Sequence, residues 1–226
     1  APYEALIREV FGQFGIPCFL DRPREMTGHP LARLLLSALA VLRSGWAGGE
    51  VIHHLKTGLA GLRDADQAAL LENHILRIDP VGGGWRGMRE GEEALREAWR
   101  AAEKALLGLE RELRDRGNPA HALWNFLERL KVAEELQRWI AEARAAGDEE
   151  LGQIHEQAWT RTLEWLEELE SLAAADPGLL GAAGESQVVA QPPSAVSVCA
   201  TGEKFSDRLD ELAALIESAL ASIQAR

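Results

Sequence analysis

Gly15-Ile16-Pro17-Cys18-Phe19-Leu20-Asp21, running on through Arg24 to His29-Pro30-Leu31, decides how the rest of the chain is read. Ile16 to Leu20 is short and apolar and is the best strand candidate in the sequence. Asp21-Arg22-Pro23-Arg24 reads as a charged turn. Pro30 falls in the first turn of a helix, where its missing N–H costs little, and His29 before it reads as a capping or packing residue. The helix then carries Leu31, Leu34, Leu35, Ala38, Leu39 and Leu42 and closes at Gly45. That leucine density predicts burial on most sides.

Outward from this stretch the chain is helical. Leu6, Ile7, Val10, Phe11 and Phe14 recur at helical spacing between Tyr3 and Phe14. Gly15 stops that helix and Pro17 prevents its continuation. Val51, Ile52 and Leu55 share one face of a shorter helix that ends at Gly58 and Gly61. Asp64 to Ile78 is helical with Ala68, Leu71, Ile75 and Ile78 inward, and Asp79-Pro80 followed by Val81 to Gly84 is a loop. Leu95, Trp99, Ala102, Leu106, Leu109 and Leu113 step by alternating four and three, a coiled-coil-like seam. After the break at Gly117-Asn118-Pro119, one helix is expected to carry Leu123, Phe126, Leu127, Leu130, Leu136 and Ile140. After Gly147-Asp148 another carries Leu151, Ile154, Ala158, Leu166 and Leu169, with Trp159 and Trp165 beside its seam. The breaks are short, so neighbouring helices should lie antiparallel. The fold class is therefore mainly α, a multi-helix bundle-like subdomain with at most one or two short strands, near Ile16–Leu20 and Gln187–Ala190. Residues 1–175 form the helical unit, 176–202 a Gly/Ala/Ser/Pro-rich linker or poorly ordered loop, and 203–226 a C-terminal helix carrying Phe205, Leu209, Leu212, Ile216 and Ile223.

Composition sets further bounds. A net charge of -12 disfavours non-specific binding to phosphate backbones unless basic residues cluster. The two cysteines, Cys18 and Cys199, lie far apart, and Cys18 sits in an apolar run as a small hydrophobe does. That usage fits a reducing cytosol. The longest apolar run, Leu31 to Leu42, is interrupted by Arg33 and too short to span a bilayer. No signal peptide is read at the N-terminus, and the opening alanine fits a piece of a longer protein.

Catalytic constellations are missing from the sequence. There is no G-x-x-x-x-G-K-[ST], and Gly82-Gly83-Gly84 lacks both the lysine and the following hydroxyl residue, so it reads as a turn. His155-Glu156 meets Trp159, not histidine, where a zinc-binding H-E-x-x-H would continue. His53 and His54 diverge around a helix and cannot chelate one ion together. No Ser or Cys lies in a nucleophile motif. Residue chemistry alone gives no reaction.

The opening stretch resembles the end of the second RecA-like lobe in superfamily 1 helicases of the UvrD/Rep type, where a Gly-Ile-Pro strand leads into an inserted helical subdomain called 2B. Within that superfamily the chain is most similar to the B subunit of bacterial AddAB-type helicase–nucleases. The carrying residues are Gly15, Ile16, Pro17, Phe19 and Asp21, then His29-Pro30-Leu31. Leu55-Lys56-Thr57-Gly58-Leu59, Leu71-Glu72-Asn73-His74-Ile75-Leu76, Gly84-Trp85 and His155-Glu156-Gln157-Ala158-Trp159 match further family segments in order. Cys18 departs from the usual aromatic, and nothing matches beyond Ser194. The resemblance implies a 2B-like accessory subdomain of a bacterial, cytoplasmic complex that processes double-strand DNA ends for recombinational repair. It implies ATP, Mg²⁺ and an iron–sulfur cluster in the parent and none of them in this stretch, an A subunit as partner, DNA reached through the parent complex, and no catalysis by the chain itself. The alternative is a helical protein–protein interaction module without a nucleic-acid role, which the net charge favours.

Candidate nucleic-acid contacts follow from residue type. Trp99, Trp124, Trp139, Trp159 and Trp165 lie on or beside helical seams, where core packing competes with base stacking and wins. Trp85 differs, because it sits in a Gly-rich loop beside Arg86 and Arg89, a combination suited to base stacking with phosphate contact. Arg22 and Arg24, in the turn after the strand, are the other phosphate candidates. Glu164 to Glu170 reads as a solvated helix face.

Overall fold

The computed structural model describes residues 3–16, 24–78, 85, 93–115, 118–175, 197–222 and 224–225. Among them the chain is mainly α: helices α1 (Glu4–Gln13), α2 (Pro30–Arg43), α3 (Gly48–Leu55), α4 (Ala65–Ile78), α5 (Glu93–Arg114), α6 (Pro119–Arg129), α7 (Val132–Ala145), α8 (Glu149–Ala175) and α9 (Ser197–Ser222). A 3-10 turn, Met26–Gly28, precedes α2. Two two-residue strands, β1 (Arg24–Glu25) and β2 (Gln224–Ala225), pair antiparallel, with Arg24 opposite Ala225 and Glu25 opposite Gln224. The strand expected at Ile16–Leu20 is not formed at Ile16, and its remainder, like Gln187–Ala190, lies outside the described residues.

Local chemistry sets the helix ends. The extended backbone of His29 puts its Nδ1 3.1 Å from the Leu31 N–H it caps, and Pro30 takes the first helical position. Gly45, at φ +65°, ends α2 in the left-handed region that glycine enters freely. Asp64 accepts the Gln67 N–H at 2.9 Å while the Gln67 side chain reaches back to the Arg63 N–H at 3.0 Å, fixing the start of α4. Asn118 and Asp148 cap α6 and α8 by accepting the N–H of Ala120 and Leu151.

α2 is the central element. Leu31, Leu34, Leu35, Leu39 and Val41 are at most 1 % exposed, and α2 packs against α3, α5 and α9. The α5 seam is buried as its spacing predicts, with Trp99, Ala102, Leu106, Leu109 and Leu113 inward and Leu95 half-buried. Each large side chain so placed contributes roughly 1.5–3 kcal/mol. α5 packs on α6, α6 on α8, and α7 lies along α8. α9 closes the far side of α2 with Leu209, Leu212 and Ile216, each 1 % exposed.

Three sequence expectations are corrected. The single helix expected to run from Leu123 to Ile140 is two, α6 and α7, because Lys131 adopts a left-handed conformation (φ 54°, ψ 41°) between them. Ile78, expected inward, is 46 % exposed at the last position of α4, where the helix ends. The stretch 176–202 is not linker throughout, because α9 starts at Ser197.

Candidate nucleic-acid interface and the motif contacts

The matched segments meet one another in space. His29, which caps α2, places its Nε2 2.9 Å from Nδ1 of His155 on α8, a buried bond across 126 residues. Since His29 Nδ1 accepts the Leu31 N–H, the proton sits on Nε2 and is donated to His155; this tautomer follows from the bonding pattern. Trp139 of α7 lies against the same imidazole, with ring centroids 5.4 Å apart. Gly58, at φ +78°, faces the Trp139 ring, and a Cβ added there would come tightly to within 3.3 Å of it. Lys56 reaches Glu72 at 2.6 Å, joining two more of the segments. His74 meets the edge of Trp85 at 6.0 Å, and Trp85 packs on Trp99, which packs on Trp46. These are packing and capping contacts, and none converges on an open cleft.

Burial governs the histidines. His29 is pushed down to about 4 by burial and secondarily by His155. His54, fully enclosed, is held at about 4 by burial, partly opposed by a hydrogen bond to the Leu34 carbonyl. Burial also lowers His155. All three imidazoles are therefore neutral near pH 7. Among the described residues no group of three or more His, Cys, Asp or Glu is placed to hold a metal ion.

The expected nucleic-acid residues fare unevenly. Trp85 is 9 % exposed, its backbone N–H donates to the Trp46 carbonyl at 2.8 Å, and its ring is packed against His74 and Trp99. It therefore offers no open face to a base. A Gly-rich neighbourhood suggested a surface residue, but long-range aromatic packing draws the ring inward. Arg22, Arg86 and Arg89 lie outside the described residues, and Arg24 contributes the backbone of β1. The carboxylates Glu164, Glu167, Glu168 and Glu170 are exposed on α8.

One basic feature escaped the sequence reading. The outer side of α5 carries Arg96, Arg100, Lys104, Leu107, Arg111 and Arg114 at steps of three and four, interspersed with the exposed carboxylates Glu93 and Glu97. All but the half-buried Arg96 are exposed. The spacing that revealed the inner seam carried the signal, but only apolar positions were followed. A shallow groove of about 290 Å³ between α2, α3 and α9 is rimmed by Arg33, Arg43, His53, Glu50 and Glu217, a balanced set in which Arg43 is already engaged by Asp210.

No known family profile matches the chain. Curated relatives do. It is 33 % identical over 196 residues to the B subunit of the ATP-dependent helicase/deoxyribonuclease of Symbiobacterium thermophilum, covering 74 % of this chain and 17 % of that protein. It is 36 % identical over 203 residues to the protein of the same name from Moorella thermoacetica (79 % and 17 %) and 30 % over 184 residues to that of Acetivibrio thermocellus (72 % and 16 %). The chain belongs to the family of helicase/deoxyribonuclease B subunits. It spans about one-sixth of the length of these curated relatives. The cofactors that the resemblance implies for the parent do not fit the residues here. The sequence has no P-loop, and its cysteines are two where a cluster bound by thiolates takes four. No described helix is long and apolar enough to cross a membrane.

Proposed function

We propose that this chain is the 2B-like accessory subdomain of a helicase/deoxyribonuclease B subunit, which positions DNA and the partner A subunit and performs no catalysis itself. The observation that carries this reading is the pairing of β1 with β2. Residues 24–25 lie beside residues 224–225, and α2 to α9 build one core between them in sequence. That is the geometry a module inserted in a longer polypeptide requires. α1, ahead of that closure, supports it: Leu6, Val10 and Phe14 are 56, 38 and 73 % exposed on one side of the helix. A ten-residue helix is marginal alone, so such a side suits cover by another part of a longer polypeptide.

In this reading ATP turnover, strand cleavage, Mg²⁺ and the iron–sulfur cluster belong to the rest of a bacterial, cytoplasmic complex that repairs double-strand breaks by recombination. Arg22, Arg24, Arg86 and Arg89 remain the candidate phosphate contacts. A second reading, a helical protein–protein module with no nucleic-acid role, draws its support from the net charge of -12. Two assays decide. The purified chain is expected to show no ATP turnover above background with or without DNA, and DNA-stimulated turnover would overturn the first reading. Salt-dependent binding to a forked duplex, weakened by Arg22→Glu or Arg86→Glu, would exclude the second.

A further inference from the structure

His29 is held by two bonds, and both need its ring neutral. Nδ1 accepts the Leu31 N–H, and Nε2–H donates to Nδ1 of His155. The first bond starts α2, and the second ties that start to α8. The two buried rings meet edge-on, with centroids 5.2 Å apart, and Trp139 of α7 backs His155. On the other side the His29 backbone N–H donates to the Met26 carbonyl at 3.0 Å and closes the 3-10 turn that follows β1. β1, the 3-10 turn and the first turn of α2 thus share one fastening to α7 and α8.

We infer that the histidine pair is a proton-operated clasp: one proton on either ring releases the start of α2, with the 3-10 turn and β1, from α7 and α8 while the other helices stay packed. The inference goes beyond the reading above, because it concerns how this chain holds its own segments and needs no DNA or partner. A neutral imidazole offers one donor and one acceptor, an imidazolium two donors. Both accepting nitrogens of the pair are already in use, so an added proton must land on one of them. On His29 Nδ1 it faces the Leu31 N–H, donor to donor, and the cap is lost. On His155 Nδ1 it faces the His29 Nε2–H, and the bond between helices is lost. Among the described residues no carboxylate acts on either ring to offset that charge: burial and then His155 hold His29 neutral, and burial holds His155 so. On α2, Arg33 stands one turn beyond His29, exposed and of the same sign as the proton. On α8, Glu149 and Glu156 reach Arg144. On α7, Glu135 accepts the Trp139 Nε1–H and pairs with Arg138. On α9, Arg208 holds the Leu113 carbonyl, Asp207 and Glu211 are exposed, Asp210 and Glu217 lie by Arg43, and no charged residue follows before β2. The 3-10 turn has no titratable residue, and β1 is Arg24 and Glu25. The released ring binds a proton more readily than the clasped one, so acid favours opening.

Amide hydrogen exchange of the whole chain, read by NMR as protection relative to intrinsic rates, tests the clasp. Between about pH 7 and about pH 4.5 the protection of the Leu31 N–H is expected to fall about tenfold or more. At the lower pH it should lie about tenfold or more below that of Leu127 in α6, and low urea should leave it unchanged, because a local opening exposes little surface. His29→Asn keeps a capping oxygen and cannot titrate, so its Leu31 protection should stay level over the same range. Long-range nitrogen–proton spectra near pH 7 should show both His29 and His155 as Nε2–H tautomers. Leu31 protection that equals that of Leu127 and falls with urea in step with it would overturn the clasp, because the segment would then open only with the whole molecule. An equal acid loss in His29→Asn would overturn the role of the proton. An Nδ1–H tautomer on either ring would remove the bonding on which the clasp stands. The urea response and the tautomers are read on the wild type, so they decide the matter even where His29→Asn does not fold.

Discussion

His54 is sealed in the core, with Nδ1 3.1 Å from Ser37 Oγ and no hydrogen-bond partner for Nε2 among the described residues. Ser37 donates its own proton to the Leu34 carbonyl at 3.1 Å, so its oxygen accepts from His54 Nδ1–H and leaves Nε2 a bare acceptor in apolar surroundings near Phe126. An unmet buried acceptor costs about 1–3 kcal/mol. His54→Leu, close in volume, should therefore be neutral or stabilising by up to about 1 kcal/mol at pH 7, where most core substitutions lose stability; urea unfolding checks it. Acid gives the companion prediction. His29 and His54 sit at about 4 in the folded chain and near 6.5 when unfolded. Between those values the unfolded state binds more protons, so stability falls as pH drops from about 6.5 to about 4 and is level above that range. Each histidine accounts for up to about 3 kcal/mol of that loss. Urea midpoints at pH 7 and pH 4.5 measure it, and His54→Leu should remove its share. Sequence made the capping role of His29 readable, because a cap is local to His-Pro-Leu. Its bond to His155 was not, because nothing local marks a partner 126 residues away.

Between α6 and α7 the chain turns without glycine or proline. Leu130 and Val132 are buried on either side of Lys131, so the two helices are held by what they bury, and Lys131 absorbs the angle in the left-handed region. That is why the break was illegible: punctuation by Gly or Pro is the usual signal, and here tertiary packing replaces it. The conformation carries a testable penalty. Lys131→Gly should raise stability by about 0.5 to 1 kcal/mol, while Lys131→Val should lower it by about 1 kcal/mol or more, since a branched side chain fits that region poorly. Both are read from urea midpoints, and equal midpoints for the two variants would contradict the assigned backbone. α5 shows the opposite case. Its inner seam was fully legible from period alone, because burial acts on every turn of a long amphipathic helix. The aromatic cluster around Trp85 was not, since its neighbours come from α4 and α5 and from Trp46, whose own backbone has φ +69°.

At the scale of the whole molecule the question is whether α9 is part of one cooperative unit or a tail laid on it. Its sequence offers amphipathic spacing and nothing else, and it follows a long stretch of different composition, so its place could not be read in advance. In the structure Leu209, Leu212 and Ile216 are buried on α2, and Arg208 donates to the Leu113 carbonyl at 2.7 Å, satisfying a carbonyl at the end of α5. The closure of β1 on β2 also depends on α9 holding its course. The seven tryptophans make this testable, because all of them, Trp46 to Trp165, lie outside α9. Leu212→Ala removes buried methyl groups from α9 alone and should cost about 2–5 kcal/mol. If α9 unfolds together with the core, that cost will shift the tryptophan-fluorescence transition in urea as far as the transition seen by far-UV circular dichroism, with the slope unchanged. A loosely attached helix would instead leave the fluorescence midpoint where it was while the dichroism lost an early, separate phase. That result would detach α9 from the core and leave β2 without the support that brings the two chain crossings together.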